Sequence, residues 1–388
     1  MTRLLIASWF GVCLFGQTVD VLEQADEAFR RGDLERAERL SRQALARDPG
    51  AVHGHMILGV IAAQKQQWGV SNEHFGSVVR LDPANPFGYF YLGQAKLFQH
   101  QWEPAIQYFS KALDLGYPER DRLVIELATA QNEAGRPNQA LTSLGTIGSP
   151  ADQRLAAQYH AITAYAKSRL SQSAPAIEAM RKAVQLDESS ANYWEFLISE
   201  LIKTDQNPQA LSEAIRAQRI FPDNPEIQFL FALASYYVSE SPLTGLALRN
   251  LREVEPDSAR VQLAEGLVYR KQGKTQEAIE AFRRAAARGL PDAQLLLGIV
   301  NRENGEYEAA EQEYRKAEQL NPRNGQVLLE MGKLLVARGE LEQARIRLEK
   351  AAEYMPDAPA VHYQLGILYQ RLGQLDKAKE HLRLVRQP

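Results

Sequence analysis

Cysteine is almost absent from this chain of 388 residues, which contains only Cys13. A disulfide within the chain would need a second cysteine, and a thiolate metal site would need several. Intrachain disulfides and thiolate-based metal centres are therefore excluded.

The sequence also lacks a strong excess of charge of either sign. It has 45 Lys and Arg against 48 Asp and Glu, a formal net charge of −3. Short basic blocks such as Arg283-Arg284 are interpreted as solvated helix faces, since charges of both signs alternate along the chain. Nothing resembles the basic stripe of a nucleic-acid-binding protein, so no nucleic-acid partner is predicted.

Motifs that carry catalytic or metal chemistry are missing as well. There is no glycine-rich phosphate loop and no Gly-x-Ser-x-Gly elbow. The seven histidines include no His-Glu-x-x-His pair, and His53 and His55, two residues apart, would point in different directions on a helix. We predict no enzyme activity, no metal site and no small-molecule cofactor.

What the chain does have is a small residue at intervals of about 34 residues, a period typical of helical repeat arrays. Glycine or another small residue usually lies twelve positions before it. A bulky residue usually lies four positions after it. Antiparallel helices approach closely only where side chains are small, so this pattern predicts stacked helix pairs. The recurring residues are Ala37, Ser71, Ala105, Ala140, Ala176, Ala210, Thr244, Ala278, Ala310, Ala344 and Ala378.

Two kinds of motif recur within the units. Unit ends read Arg-Leu-Asp-Pro at 80–83 and Gln-Leu-Asn-Pro at 319–322, and a first helix contains Tyr-Phe-Tyr-Leu-Gly at 89–93. With these motifs the chain resembles the tetratricopeptide repeat family over residues 18–388. The resemblance implies an all-α, right-handed superhelical solenoid of about eleven antiparallel helix pairs. Units are expected near 18–51, 52–85, 86–120, 121–156, 157–190, 191–224, 225–258, 259–290, 291–324, 325–358 and 359–388.

Two stretches interrupt this regular pattern. Residues 145–150 read Gly-Thr-Ile-Gly-Ser-Pro, which predicts a short second helix in the fourth unit. Residues 239–245 of the seventh unit read Ser-Glu-Ser-Pro-Leu-Thr-Gly, where the repeat pattern would have a regular short turn between its two helices. We expect bends in the array at both places.

Residues 1–16 lie outside the repeats and have the layout of a secretory signal peptide. Arg3 supplies a positive charge, an apolar stretch follows, and Gly16 precedes the expected cleavage, which would leave 17–388 as the repeat array. The apolar stretch is too short for a mature membrane-spanning helix. The residues before Cys13 depart from the lipoprotein signature, so lipid attachment is not expected. A retained anchor or a cytosolic start is the alternative to export into a bacterial periplasm or cell envelope.

In the family, the first helix of each unit lines the inner groove of the array. The groove positions are unusually apolar here, and we predict that they bind an apolar peptide or an amphipathic helix of a partner protein. The alternative is that these side chains pack between adjacent first helices. The groove residues are Met56, Phe87, Phe90, Gln94, Leu97, Phe98, Phe229, Leu233, Tyr236, Tyr237, Leu263, Leu267, Arg270, Leu295, Ile299 and Tyr363.

The predicted function is a protein-binding scaffold with one or more protein partners, and two alternatives stay open. One is a chaperone-like assembly factor for envelope proteins, which would bind unfolded chains broadly. The other is an accessory subunit of an envelope polysaccharide machine, with Trp68, Phe90, Trp102 and Tyr237 stacking on sugars. The family's Lys/Asn clamp for chaperone tails is absent. The last helix, expected near 376–386, has apolar residues that would support self-association or a partner contact, or that are simply tolerated at the surface.

Overall fold

The computed structural model describes residues 16–238, 242–356 and 358–385, with side chains from residue 20 onward. Within these ranges the regular secondary structure is entirely α-helical. By internal packing the residues form two compact units. The first extends to Leu170 and includes Gln185–Asp187, and the second comprises Ser171–Val184 and the chain from Glu188 onward.

In the first unit, consecutive helices joined by short turns pack as pairs, such as α3 with α4 and α5 with α6. Their bounds are α1 Gly16–Arg30, α2 Leu34–Arg47, α3 Val52–Gln64, α4 Trp68–Leu81, α5 Pro86–Phe98, α6 Trp102–Asp114, α7 Arg120–Glu133, α8 Pro137–Gly145 and α9 Gln153–Arg169.

The second unit repeats this pairing, as in α15 with α16 and α19 with α20. Its helices are α10 Ser173–Leu186, whose last two residues belong to the first unit, α11 Ala191–Lys203, α12 Asn207–Ile220, α13 Pro225–Tyr237, α14 Thr244–Val254, α15 Ala259–Lys271, α16 Thr275–Ala287, α17 Pro291–Glu303, α18 Tyr307–Leu320, α19 Gly325–Ala337, α20 Leu341–Tyr354, α21 Pro359–Arg371 and α22 Leu375–Leu384.

The turn between paired helices is set by a residue in the left-handed region. Gly305 has φ of 82°, which glycine adopts without a Cβ clash. Its N–H donates to the Arg302 carbonyl at 3.1 Å, and the Glu306 N–H donates to the Asn301 carbonyl at 2.8 Å. These bonds satisfy the last carbonyls of α17 and start α18 in the reverse direction.

The close helix crossings depend on glycine facing a ring. A Cβ built on Gly298 would lie 2.3 Å from Tyr314, and one on Gly93 would lie 2.6 Å from Phe109. The recurring alanines Ala105 and Ala310 are fully buried at the same crossings. The predicted all-α architecture of stacked helix pairs is therefore confirmed.

The irregular stretches differ in outcome. Helix α8 has only nine residues, which confirms the short second helix predicted from the glycines near 145–150. Helix α14 has eleven residues and follows residues 239–241, which lie outside the described ranges. The predicted signal segment, including Cys13, also lies outside them except for Gly16.

Candidate protein-binding surface of the first helices

The predicted groove residues fall into three groups by exposure. Phe98, Tyr363 and Tyr237 are exposed to 59%, 49% and 45%. Phe90, Leu263, Leu267 and Leu295 are buried. The remaining residues are half-buried: Met56, Phe87, Gln94, Leu97, Phe229, Leu233, Tyr236, Arg270 and Ile299.

Phe90 is a core residue of the first unit. Its ring stacks on Tyr117 at a centroid distance of 4.3 Å and contacts Phe109 at 5.9 Å. The Arg122 guanidinium lies 5.0 Å above it. With no exposed surface, Phe90 has no face to offer a partner protein or a sugar in this structure.

A small apolar cavity, here called the N-terminal pocket, lies between α1, α3 and α5. It has a volume of about 50 Å³. The sequence prediction included Met56 and Phe87 but missed Phe29 of the first repeat. The lining residues are Phe29, His53, Met56, Ile57, Val60, Phe87 and Tyr91.

Burial raises the pKa of the Tyr91 phenol in the lining of the N-terminal pocket. The other lining residue with a shifted pKa is His53. Burial lowers its pKa, while the Asp26 carboxylate, with Oδ1 3.6 Å from His53 Nε2, opposes that shift. Asp26 also forms an ion pair with Arg30. The pocket is therefore apolar inside, with this internally paired group beside it.

Phe98, at the end of α5, stacks on Trp68 of α4. The ring centroids are 4.4 Å apart and the planes are inclined by 14°. This contact covers one face of Trp68, and Trp102 packs edge-on against His100 at 5.0 Å. Each of the two indoles thus makes one contact with a neighbouring ring.

In the second unit, Tyr236 and Tyr237 at the end of α13, together with Arg270 and Asp292, form what we call the tyrosine patch. The two tyrosine rings lie 5.2 Å apart at an edge-on angle of 68°. Lys271 of α15 sits 5.5 Å above Tyr236 and donates to the Tyr236 carbonyl at 3.1 Å. These contacts hold Tyr236 in place and leave Tyr237 exposed.

Two ionisable groups of the tyrosine patch have shifted pKa values. Burial raises the pKa of Asp292 and that of Tyr237. For Tyr237 the Tyr236 phenol raises the pKa further, while the Arg270 guanidinium lowers it. Asp292 thus sits in poorly hydrated surroundings despite its accessible carboxylate.

Several of the charged side chains on the first helices of the second unit pair with one another. Arg270 of α15 donates to both Glu303 oxygens of α17, at 3.0 and 2.6 Å. Arg302 of α17 and Lys333 of α19 both reach Glu330, which is 3% exposed, at 3.3 and 2.6 Å. The Arg270–Glu303 and Arg302–Glu330 pairs tie adjacent first helices together, while Lys333–Glu330 lies within α19. Binding at this surface would therefore depend mainly on aromatic and aliphatic contacts.

Neither a cluster of metal ligands nor a membrane-spanning helix is found in the part of the chain that the structure describes. It holds no group of three or more His, Cys, Asp or Glu side chains arranged to share a metal ion. None of its helices combines the length and apolar character needed to cross a bilayer.

The fold and this surface define a solenoid of helical hairpins whose first helices carry accessible aromatic residues. Three family models agree with that class. One described as tetratricopeptide repeat matches residues 22–86, 247–289 and 263–325, one described as TPR repeat matches 332–373, and a further tetratricopeptide repeat matches 360–387. The chain is a tetratricopeptide repeat protein.

Several solved structures are similar to this chain at low sequence identity. Yeast Tom70 is 12% identical over 96% of this chain and 93% of its own, with a TM-score of 0.50. The Cut9-Hcn1 hetero-tetramer of the APC/C is 16% identical over 87% and 80%, with a TM-score of 0.48. Pseudomonas aeruginosa pilF is 21% identical over 55% and 96%, with a TM-score of 0.45. No curated protein matches the chain in sequence.

Proposed function

We propose that this protein is a non-enzymatic scaffold that binds a segment of a partner protein on the first helices of its repeats, in a bacterial periplasm or cell envelope. The exposure of Phe98, Tyr237 and Tyr363 carries the proposal. All three occupy groove positions of the repeat pattern. Aromatic residues dominate the energy of protein interfaces, because they bury a large apolar area at low cost in side-chain entropy.

The chemistry of the surface favours a partner segment with bulky apolar side chains. The N-terminal pocket in the first unit has room for the end of one aliphatic side chain, beside the half-buried Met56 and Phe87. In the second unit Tyr237 and Ile299 offer apolar surface, while Arg270 is already paired with Glu303. An apolar helix or extended strand would therefore gain more contact here than a highly charged segment.

Site-specific cross-linking tests this proposal. A photoreactive phenylalanine analogue placed at Phe98 or at Tyr237 is expected to cross-link one partner protein in cells. Leu320 and Ile346, on second helices, are exposed to 60% and 57% and provide matched control positions. The same adduct from all four positions, or none from 98 and 237, would contradict a binding surface on the first helices.

The alternatives predict other outcomes in the same experiment. Adducts with many unrelated chains would support the chaperone-like function. The glycan-machine function predicts retention on envelope polysaccharide that is lost when Tyr237 is replaced.

Export is the second part of the proposal, supported by the charged start and apolar stretch of residues 1–16. Cell fractionation followed by N-terminal sequencing tests it. A mature protein that begins at Gln17 in the envelope fraction is expected. A chain that retains its first residues in the cytosol would contradict it.

A further inference from the structure

Two histidine pairs with the same arrangement occur in this protein, one in each compact unit. His55 and His74 are 19 residues apart, as are His362 and His381. Each pair joins the first helix of a hairpin to its second helix, α3 to α4 and α21 to α22. The twofold occurrence shows that the hairpin geometry itself brings these two positions together.

The spacing of the facing nitrogens is also the same in both pairs, although the ring planes are inclined by 47° in His55–His74 and by 20° in His362–His381. The two Nδ1 atoms lie 3.0 Å apart in each pair. The other nitrogen of the first ring faces a backbone carbonyl: His55 Nε2 is 3.1 Å from Pro49 O, and His362 Nε2 is 2.6 Å from Pro356 O. A carbonyl only accepts, so Nε2 carries the hydrogen and the neutral ring directs its Nδ1 lone pair at the partner ring.

We propose that each histidine pair binds one divalent transition-metal ion of the Ni²⁺ and Cu²⁺ class through its two Nδ1 atoms. Histidines that ligate metals usually donate their other N–H to a carbonyl or carboxylate, which fixes the tautomer and the ring. His55 and His362 already have this support from Pro49 and Pro356.

The separation of the nitrogens selects the kind of ion. Metal–nitrogen bonds of about 2.0–2.1 Å to two atoms 3.0 Å apart subtend about 95° at the metal. This is the angle between neighbouring ligands in a square-planar or octahedral complex, which suits Cu²⁺ and Ni²⁺. A tetrahedral Zn²⁺ site would need the two rings to move apart. Water would complete the coordination sphere.

Without metal, one N–H···N hydrogen bond accounts for the contact, with the proton on Nδ1 of His74 or His381. Metal binding requires that proton to move to Nε2 of the same ring, so a neutral pair releases no net proton. Burial and the neighbouring imidazole lower the pKa of both His74 and His381, so both effects favour the neutral ring.

Aromatic and charged groups surround the pairs. Tyr369 stacks on His381 at 5.5 Å and holds its plane, while its hydroxyl donates to Glu349 at 2.6 Å. The carboxylates of Glu349 and Glu380 raise the pKa of His381, and the Lys377 ammonium lowers it. For His74, the Glu73 carboxylate raises the pKa and the Arg42 guanidinium lowers it.

Calorimetric titration of the full chain, without an affinity tag, with NiCl₂ at pH 7.5 tests the proposal. The wild type is expected to bind two Ni²⁺ per chain, and His74→Gln and His381→Gln one each. The double variant should bind none. Glutamine keeps a hydrogen-bonding group beside the remaining imidazole but removes the ligand nitrogen. His100→Gln, at an exposed unpaired histidine, is the matched control and should bind two.

Two results would overturn the proposal. If the double variant binds as much Ni²⁺ as the wild type, the ions bind adventitiously elsewhere. If the wild type binds none, the pairs serve as hydrogen bonds alone. Should either variant lose its helical circular dichroism, His55→Gln and His362→Gln remove the opposite ligand and must give the same losses. Failure here leaves partner binding by Phe98 and Tyr237 untouched, since those residues lie outside both pairs.

Discussion

At the residue scale, the helix crossings depend on glycines that face rings, and Gly298→Ala tests this. The added Cβ would lie 2.3 Å from the Tyr314 ring, inside the contact limit. We expect the free energy of unfolding to fall by about 1–3 kcal/mol, as overpacked cores show. Urea denaturation measures it. Gly76→Ala is the control: it lies within α4 with only ordinary contacts, and should gain about 0.5–1 kcal/mol.

Phe90 and Phe98 occupy groove positions of the same helix but should respond differently to serine. Phe90 is fully buried, so Phe90→Ser should lower the free energy of unfolding by about 3–5 kcal/mol or more, the range for large truncations in cores. Phe98 is 59% exposed, so Phe98→Ser should lower it by less than about 1 kcal/mol. Equal losses in urea denaturation would contradict the assignment of Phe90 to the core and Phe98 to the surface.

Histidines should make the protein less stable in mild acid. The folded-state pKa values of His53, His74 and His381 are lowered, so the unfolded chain takes up protons at a higher pH. The free energy of unfolding should therefore fall as pH drops from 7.5 through 6.5 toward 5.5. Burial raises the carboxyl pKa of Glu126 and Asp292, which acts in the opposite sense but at lower pH.

Melting temperatures between pH 5.5 and 7.5, in buffer with a chelator, measure this effect. The decline should be smaller for the His74→Gln/His381→Gln variant than for the wild type, because two of the three shifted groups are gone. Parallel curves would show that these rings do not contribute to the pH dependence.

Individual residues also show how far sequence reasoning reached. The glycine and alanine positions followed directly from the repeat, since a helix crossing is a local steric condition. The burial of Phe90 did not, because it depends on Tyr117, which the turn before α7 brings onto the ring. The histidine pairs were not predicted, because residues 19 positions apart share no face of a single helix. They come together only when the two helices of a hairpin pack against each other.

At the element scale, α14 should be less protected from hydrogen exchange than α16, another second helix of the second unit. It has eleven residues, of which Ala247 and Leu251 are buried, whereas α16 has thirteen with five buried. Few buried contacts mean a low free energy of local opening. Amide hydrogen exchange followed by mass spectrometry should show faster exchange in α14 than in α16. Equal protection would contradict a weak seventh repeat.

The sequence predicted elements well where local signals were strong. Gly145 and the residues up to Pro150 indicated the early end of α8, and the structure ends that helix at Gly145. The exposed or buried state of each first-helix side chain was not predictable, because the next hairpin along the chain determines it.

At the scale of the whole molecule, the proposed partner would be bound through aromatic residues and not through charge. The ion pairs Arg270–Glu303 and Arg302–Glu330 join first helices to one another. Binding to the partner should therefore depend only weakly on salt, since exposed unpaired charges carry most of the screening effect.

The most direct test is the affinity of the purified cross-linked partner, measured by calorimetry against wild type and Phe98→Ser/Tyr237→Ser. Loss of interface aromatics costs roughly 2 kcal/mol or more, so binding should weaken by at least about 30-fold. Leu320→Ser/Ile346→Ser, which changes residues of similar exposure on second helices, should bind like the wild type. Unchanged affinity in the aromatic variant, with its fold intact, would contradict the proposed binding surface.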